Sequence, residues 1–207
     1  RLSYLITGVY PPYLKIMQQN YLENKTFEKT NFLVSPLLKG EYENCIFRNC
    51  DFSNCDLSEI KFIDCHFLVC NLSLANLAKT AFMAAKFKDC KMLGLHFYKC
   101  NLFSLTFSFE NCNLNDSSFF QTKIKKTSFI NTQLNGVDFT DCDLSASIFD
   151  NCDLTNAKFE NTLLEKADFR TSYNYSIDPE INKIKKAKFS LSAISGLLDK
   201  YGIEIDQ

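Results

Sequence analysis

Large apolar residues recur every five positions along most of the chain. Tyr42 opens a run of fourteen such centres that ends at Phe107, and Leu114 opens a run of twelve that ends at Phe169. The step from Phe107 to Leu114 is seven, which predicts a two-residue insertion around positions 108–111. Neither the period of an α-helix nor the alternation of a strand produces this spacing. The pattern predicts a coil that turns a corner every five residues.

The position two residues before each centre forms a second inward phase. It holds a small residue nearly everywhere, the exceptions in the first run being Ile60, Leu95 and Leu105. All ten cysteines fall in this phase. We therefore interpret Cys as a small, soft apolar residue that fills a tight position, and not as a metal ligand, disulfide partner or nucleophile. The ten are Cys45, Cys50, Cys55, Cys65, Cys70, Cys90, Cys100, Cys112, Cys142 and Cys152.

The repeated unit small–x–Leu/Phe–x–x resembles the repeat of the pentapeptide-repeat family. Residues 157–161 and 167–169 match its consensus closely, and the resemblance covers about residues 22–171. It implies an all-β fold, a right-handed quadrilateral β-helix with four pentapeptides per coil and coils stacked roughly 4.8 Å apart. Leu or Ile alternates with Phe in the second run, so we expect Phe columns on two opposite faces. The columns are Phe119, Phe139 and Phe159, and Phe129, Phe149 and Phe169.

The repeat divides the chain into three predicted segments. Residues 17–171 form the β-helix. Residues 1–16 precede it as an N-terminal extension of artificial or upstream origin. Residues 172–207 form a small C-terminal helical cap that is also the dimerisation segment. A cap is physically required, because the open end of a β-helix exposes unpaired backbone groups.

Start and stop signals place two helices in the cap. Asp178 followed by Pro179 predicts an N-cap and a first helical residue. Ser190 predicts the start of a second helix, which ends at Gly202. Residues 203–205 alternate like a short strand.

Charge varies along the chain although the net charge is −1. Residues 41–78 carry −4, residues 79–126 carry +5, and residues 138–168 carry −6. The last block matches the charge density of B-DNA locally, over about one and a half coils. Its acids are spread over all four faces, so an ordinary solvated surface is the alternative interpretation. They are Asp138, Asp141, Asp143, Asp150, Asp153, Glu160, Glu165 and Asp168.

The C-terminal segment resembles one particular group within the pentapeptide-repeat family. Residues 168–170, 177–182 and 197–203 are similar to the end of the Qnr and microcin-immunity group of pentapeptide proteins. That resemblance implies a homodimer through the C-terminal ends and binding to DNA gyrase or topoisomerase IV as a mimic of duplex DNA. The eight acids are then the candidate mimic surface, although the long loops of some Qnr members are absent. The candidate dimer interface is Ile194, Leu197, Leu198, Tyr201, Ile203 and Ile205.

We therefore expect a non-enzymatic, cytoplasmic protein that protects a type II topoisomerase from quinolones or related poisons. The alternative is a structural scaffold or immunity-type rod that binds another protein through its outer faces, notably the basic belt at residues 79–126. We expect no catalytic residue, no metal and no cofactor, because no zinc spacing, phosphate loop or catalytic dyad is present. His66 and His96 point outward on opposite faces. We also expect no membrane contact and no direct nucleic-acid contact.

Overall fold

The computed structural model describes residues 20–205, so the predicted extension at residues 1–16 lies outside the described residues. Eleven strands of three or four residues are assigned in this part of the chain, and each contains one apolar centre between outward-facing residues. The strands are β1 (Asn20–Glu23), β2 (Thr26–Glu28), β3 (Gly40–Glu43), β4 (Ile46–Arg48), β5 (Lys61–Ile63), β6 (His66–Leu68), β7 (Ala81–Met83), β8 (Ala85–Lys88), β9 (Phe107–Glu110), β10 (Ser128–Ile130) and β11 (Ile148–Asp150).

All strand pairs are parallel, and paired residues are usually 20 positions apart, as Phe47 and Phe67 are. Four strands form one sheet in the order β1-β3-β5-β7, and the other seven form a second in the order β2-β4-β6-β8-β9-β10-β11. Single β-bridges connect the remaining sides of the coils, for example Asp51 with Asn71. Twenty residues are four pentapeptides, so the predicted right-handed quadrilateral β-helix is confirmed.

The interior is filled by columns of stacked apolar side chains. Nine Phe rings form one continuous column with neighbouring centroids 4.5–5.4 Å apart. The opposite column holds Phe119, Phe139 and Phe159, and Phe119 meets Phe129 of the first column edge-to-face at 6.2 Å. Stacked and edge-to-face pairs are the favourable geometries for aromatic rings. The two predicted Phe columns are confirmed. The nine rings are Phe27, Phe47, Phe67, Phe87, Phe109, Phe129, Phe149, Phe169 and Phe189.

The small inward residues also donate hydrogen bonds. The Cys152 thiol donates to the carbonyl of Phe129 at 3.4 Å, and the Thr162 hydroxyl donates to the carbonyl of Phe139 at 2.9 Å. In each case the acceptor is the centre 23 residues earlier, in the preceding coil. All ten cysteines are buried, as predicted, and none of them is in a disulfide in this structure. A thiol therefore fills this position as a small group and as a weak donor.

The corners of the coil use left-handed backbone conformations. The residue two positions after a centre has a positive φ, for example 49° at Asn131 and 51° at Asn151. Asn and Asp tolerate this region better than most residues do. The side chains at this corner bond to one another, Asn151 to Asn131 at 2.9 Å and Asn131 to Asn111 at 3.1 Å. The recurrence of Asn at this phase is a sequence signal for the corners that the apolar period does not use.

The register prediction near the insertion was wrong. Phe109, and not Phe107, pairs with Phe87, and its ring stacks between Phe87 and Phe129 at 5.4 and 5.3 Å. Phe107 instead occupies the small inward phase and is 7% exposed. Phe109 lies five residues before Leu114, so both Phe residues satisfy the period from one side. Spacing alone cannot choose between them.

The two extra residues therefore lie at 101–106 and not at 108–111. The N–H groups of Asn101 and Thr106 donate to carbonyls only two residues apart in the preceding coil, so the segment between them bulges from the rod. Leu102, predicted as an inward centre, is 44% exposed, whereas Leu105 is buried. The neighbouring Phe103 is fully exposed.

The stacked coils continue past residue 171. Parallel bridges join Leu163 to Lys183 and Asp168 to Lys188, and the ring of Phe189 stacks on Phe169 at 5.4 Å. The residues after position 171, where the five-residue pattern is weaker, therefore still form a stacked coil. The cap follows as two 3-10 helices, Leu191–Leu197 and Asp199–Tyr201.

One of the two predicted helices is absent from the described cap. Asp178 begins a turn, in which its carboxylate accepts the N–H of Glu180 at 2.8 Å. The same side-chain-to-backbone bond would cap a helix, so the residues do not distinguish the two structures. The second helix follows Ser190 as predicted, although it is a 3-10 helix, and Gly202 ends the cap in the left-handed conformation (φ 58°). Residues 203–205 form no strand.

Candidate functional surface

Because the centre and the small residue both point inward, the residues beside each centre and those at the corners form the outer surface. Each coil has four sides, so the rod has four flat faces. We number them by the columns beneath them in the C-terminal half of the rod. Face 1 covers Ile124, Leu144 and Leu164, face 2 covers Phe129, Phe149 and Phe169, face 3 covers Leu114, Leu134 and Leu154, and face 4 covers Phe119, Phe139 and Phe159.

The eight predicted acids do not form one surface. Successive pentapeptides lie on successive faces, so a run of acids in the sequence is distributed around the rod. Asp138 and Glu160 lie on face 4, with Asp141 at its corner with face 1; Asp153 lies on face 3; Asp150 and Asp168 lie on face 2; and Asp143 and Glu165 lie on face 1.

Two of these acids are neutralised by cations. Asp143 is buried and lies 3.0 Å from the Lys125 ammonium. Burial alone would raise the pKa of Asp143, but hydrogen bonds from Ser145 and Lys125 outweigh it and lower the pKa. Asp168 accepts two hydrogen bonds from Arg170, which hold its pKa at about 2. Neither carboxylate is free to present charge to a partner.

Six acids form no ion pair among residues 20–205. Four of them lie on faces 3 and 4 and are called the acidic side here. Asp138 accepts the N–H of Thr140 at 3.0 Å, which fixes the direction of its carboxylate. Lys158, which pairs with Asp138 across the coils on face 4, reduces the negative charge of the acidic side. Its members are Asp138, Asp141, Asp153 and Glu160.

Sequence reasoning missed the most strongly charged face. Face 1 carries seven exposed lysines in the C-terminal half, against the two acids Asp143 and Glu165. The signal is present in the chain, because Lys-Ile-Lys-Lys occurs at 123–126 and again at 183–186, which is three coils later. We call these residues the lysine face. They are Lys123, Lys125, Lys126, Lys166, Lys183, Lys185 and Lys186.

The residues predicted for the dimer interface form a partly exposed apolar surface at the cap. Tyr201, Ile203 and Ile205 are exposed by 56%, 55% and 48%, and Ile194 by 36%. Lys200 bonds to the turn at 178–180 and holds the segment against the last coil. The other two predicted residues, Leu197 and Leu198, are half-buried, and Leu197 packs against the core.

The thiols lie inside the rod, and burial affects their ionisation. Burial raises the pKa of Cys65, Cys142 and Cys152 to about 12, so these thiols are protonated at neutral pH. His66 and His96 lie on opposite faces, as predicted. Within residues 20–205, no group of three or more His, Cys, Asp or Glu side chains is placed to hold a metal ion. The same residues contain no helix with the length and apolar character of a membrane span.

The fold and its outer faces define the class of protein as a parallel β-solenoid whose surface, and not its filled interior, is available to partners. Residues 41–108 and 106–173 match the family model for the pentapeptide repeat region. The matches together span more than half of the 207 residues. The chain therefore belongs to the pentapeptide-repeat family. No curated protein matches it in sequence.

Solved structures with a similar fold include three of QnrB1, a plasmid-mediated fluoroquinolone resistance protein. A trypsin-treated variant has a TM-score of 0.59 and 19% identity, covering 91% of this chain and 98% of that chain. A second trypsin-treated variant has a TM-score of 0.57 at 19% identity, covering 91% and 92%. Full-length QnrB1 has a TM-score of 0.50 at 19% identity, covering 89% and 100%. At this identity the likeness establishes the fold alone.

Proposed function

We propose that this chain is a non-catalytic protein that binds a type II topoisomerase as a mimic of duplex DNA and protects it from fluoroquinolones. The observation that carries the proposal is the likeness of the rod, over 91% of its length, to a fluoroquinolone resistance protein. The filled interior supports it as well. A core closed by stacked Phe rings leaves the outer faces to bind a partner.

The acidic side is the part of the surface that suits mimicry. Asp138 and Asp141 project from one coil and Glu160 from the next, roughly 4.8 Å along the rod, and none of the three forms an ion pair among the described residues. Carboxylates at this spacing replace DNA phosphates in front of the cationic groove of a topoisomerase. The remaining members of the predicted acidic set face other directions or are neutralised, so the mimic surface is smaller than the sequence block.

Dimerisation through the cap would lengthen this surface. Ile203 and Ile205 lie beside Leu198 and line a shallow groove of about 200 Å³. Exposed apolar residues at the end of a rod are suited to an isologous contact with a second copy. Light scattering should give a dimer for the wild type and a monomer for Ile203→Asp with Ile205→Asp. A wild-type monomer at micromolar concentration would remove the dimer from the proposal.

A supercoiling assay tests the proposed function. DNA gyrase is incubated with relaxed plasmid and ciprofloxacin, with and without the protein. We expect the protein to restore supercoiling in the presence of the drug. If micromolar protein neither restores supercoiling, inhibits the enzyme nor binds it, the proposal is wrong.

Charge-matched variants locate the contact. The variant Asp138→Asn, Asp141→Asn, Glu160→Gln should lose at least ten-fold in affinity for gyrase. The control Glu23→Gln, Glu28→Gln, Asp64→Asn removes the same charge from exposed positions at the other end of the rod and should lose less than two-fold. Equal losses would mean that net charge, and not the acidic side, governs binding.

The patchwork of charge around the rod favours a second candidate, a scaffold that binds another protein through the basic belt at residues 79–126. Lys123 and Lys126 in that belt form no ion pair among the described residues. Pull-down of a non-topoisomerase partner by the wild type, lost in Lys123→Glu, Lys125→Glu, Lys126→Glu, would support the scaffold. Gyrase binding that survives the same substitutions would support the first proposal.

A further inference from the structure

The lysine face repeats one arrangement of cations at two levels of the rod. Lys123, Lys125 and Lys126 surround the inward Ile124, and the same four residue types recur at 183–186 on the same face. Three coil rises separate the two sets, which is about 14 Å. Lys166 lies between them at the corner of the face.

The charge of this face is largely uncompensated within the molecule. Seven lysines and two acids leave it with a net charge of +5. The one ion pair on the face among the described residues joins Lys125 to Asp143 at 3.0 Å. The other six lysines are exposed, and no carboxylate of residues 20–205 lies within 4 Å of their ammonium groups. The face is therefore available to an external anion.

Clustering lysines on this face is unfavourable for the stability of the fold. The presence of these lysines is therefore not explained by stability. Lys126, Lys166 and Lys186 stand at corners with φ of 61°, 62° and 61°, a conformation that Asn, Asp and Gly adopt more readily. Lys166 and Lys186 also lie on adjacent coils, since the N–H of Lys166 donates to the carbonyl of Lys185 at 3.0 Å. Like charges opposite one another on neighbouring strands are destabilising.

The chemistry of the face selects among anionic partners. Protein interfaces are anchored by aromatic residues, Met and Arg and are depleted in Lys. The lysine face has one exposed large apolar residue among the described residues, Leu163, and a second, Ile181, stands at its corner with face 4. Stable membrane binding by a basic cluster needs an apolar anchor beside it. Single-stranded nucleic acid needs aromatic side chains on which bases stack. Duplex DNA needs phosphate contacts, which Lys supplies as a point charge.

We propose that the lysine face binds the phosphate backbone of duplex DNA without sequence specificity. Over about 14 Å of helix axis a duplex presents about eight phosphate charges, enough for both sets of lysines. Asp153 lies on face 3, on the opposite side of the rod, and Asp138 and Glu160 lie on the adjacent face 4. Asp141 stands at the corner between faces 4 and 1, so it is the acid of the acidic side that lies nearest to the bound duplex. The site goes beyond the proposed function and does not depend on it. It also replaces the sequence-based expectation of no nucleic-acid contact, which treated charge along the chain and not by face.

Fluorescence anisotropy with a labelled duplex of about 20 base pairs tests the site, at about 50 and about 200 mM salt. The wild type should bind, and Lys166→Gln, Lys185→Gln, Lys186→Gln should weaken binding at least ten-fold and reduce the slope of log affinity against log salt by about 2.7. Lys123→Gln, Lys125→Gln, Lys126→Gln, at the other level, should behave alike. The control Lys29→Gln, Lys86→Gln, Lys91→Gln removes equal charge from exposed positions on faces 2 and 3 and should lose less than two-fold.

Several outcomes overturn the proposal. No binding by the wild type at about 50 mM salt excludes the site. Equal losses in the face variants and in the control variant would show binding by general charge. Tighter binding of a single strand than of the duplex, or binding of polyglutamate in place of DNA, would assign the face to another partner. Far-UV circular dichroism of each variant establishes that it is folded, and no topoisomerase is present, so this test and the supercoiling assay fail independently.

Discussion

The inside and the outside of this rod follow different rules. The interior is nearly the same at every level, with one Phe column running from Phe27 to Phe189. The exterior differs between faces of the same coil, since Lys123 and Asp138 stand on neighbouring faces. A period of five determines what points inward, whereas a period of twenty determines which outer residues are neighbours. The residues that form one outer surface, and so could contact one partner, are therefore found by comparing positions 20 residues apart.

The largest expected effect is a loss of stability when an inner ring is removed. Phe129 is fully buried and stacks between Phe109 and Phe149 at 5.3 and 4.9 Å. Phe129→Ala should reduce the free energy of unfolding by about 3–5 kcal/mol in urea denaturation. Phe103 is the matched control, because it is fully exposed and its substitution by Ala should change stability by less than about 0.5 kcal/mol. Similar losses in both variants would contradict the division between inside and outside.

The cap should be sensitive at one glycine. A Cβ on Gly196 would collide with the carbonyl oxygen of Tyr175, so a side chain cannot be accommodated there unless the backbone moves. Gly196→Val should destabilise the cap by about 1–3 kcal/mol, measured by hydrogen exchange of the amides at 191–201. Ser195→Ala, at the exposed neighbouring position, should leave exchange nearly unchanged. Equal exchange in the two variants would show that the cap is not packed against Tyr175.

The small inward position should discriminate by size more than by chemistry. Thr132 and Ser172 occupy the same column as Cys152, so Cys152→Thr should change stability by less than about 1 kcal/mol. Cys152→Leu should cost about 1–3 kcal/mol, because the column has no space for the larger side chain. Thermal unfolding under reducing conditions measures both. A greater loss for Thr than for Leu would mean that the thiol has a specific role.

The smallest expected effect is a pH dependence from Asp168. Its pKa is about 2 in the folded protein because Arg170 donates to it, whereas an unfolded Asp titrates near about 3.9. The stabilisation is therefore present above about pH 4 and is lost as the pH falls towards 2. Arg170 is exposed, so the difference between the wild type and Asp168→Asn should be at most about 1 kcal/mol at neutral pH. Arg170→Gln should remove the same pH dependence.

The sequence predicts the interior of this protein far better than its exterior. The spacing of Phe119, Phe139 and Phe159 is sufficient to place their rings in one column. It is not sufficient to choose between Phe107 and Phe109, because both satisfy the period from one side of the insertion. That choice depends on which residues bulge out of the coil at 101–106, and packing of the neighbouring side chains determines this.

The candidate surfaces were predictable only in part. The acids of residues 138–168 were expected on four faces, and they lie on four. The pairing of Asp143 was not predictable, because Lys125 is close to it only across coils, whereas the main partner of Asp168 is Arg170, two residues along the chain. The lysine face required the comparison of residues three coils apart. Charge summed over consecutive residues does not describe the surface of a β-helix.

Competition for a topoisomerase tests the central claim, that the acidic side replaces duplex DNA, most directly. Labelled duplex DNA is bound to gyrase and titrated with the variant Lys166→Gln, Lys185→Gln, Lys186→Gln, so that binding of the duplex by the lysine face is weakened. We predict that this variant displaces the DNA, and that adding Asp138→Asn, Asp141→Asn and Glu160→Gln abolishes displacement. A complex in which gyrase holds the protein and the DNA together, with no displacement, would contradict the claim.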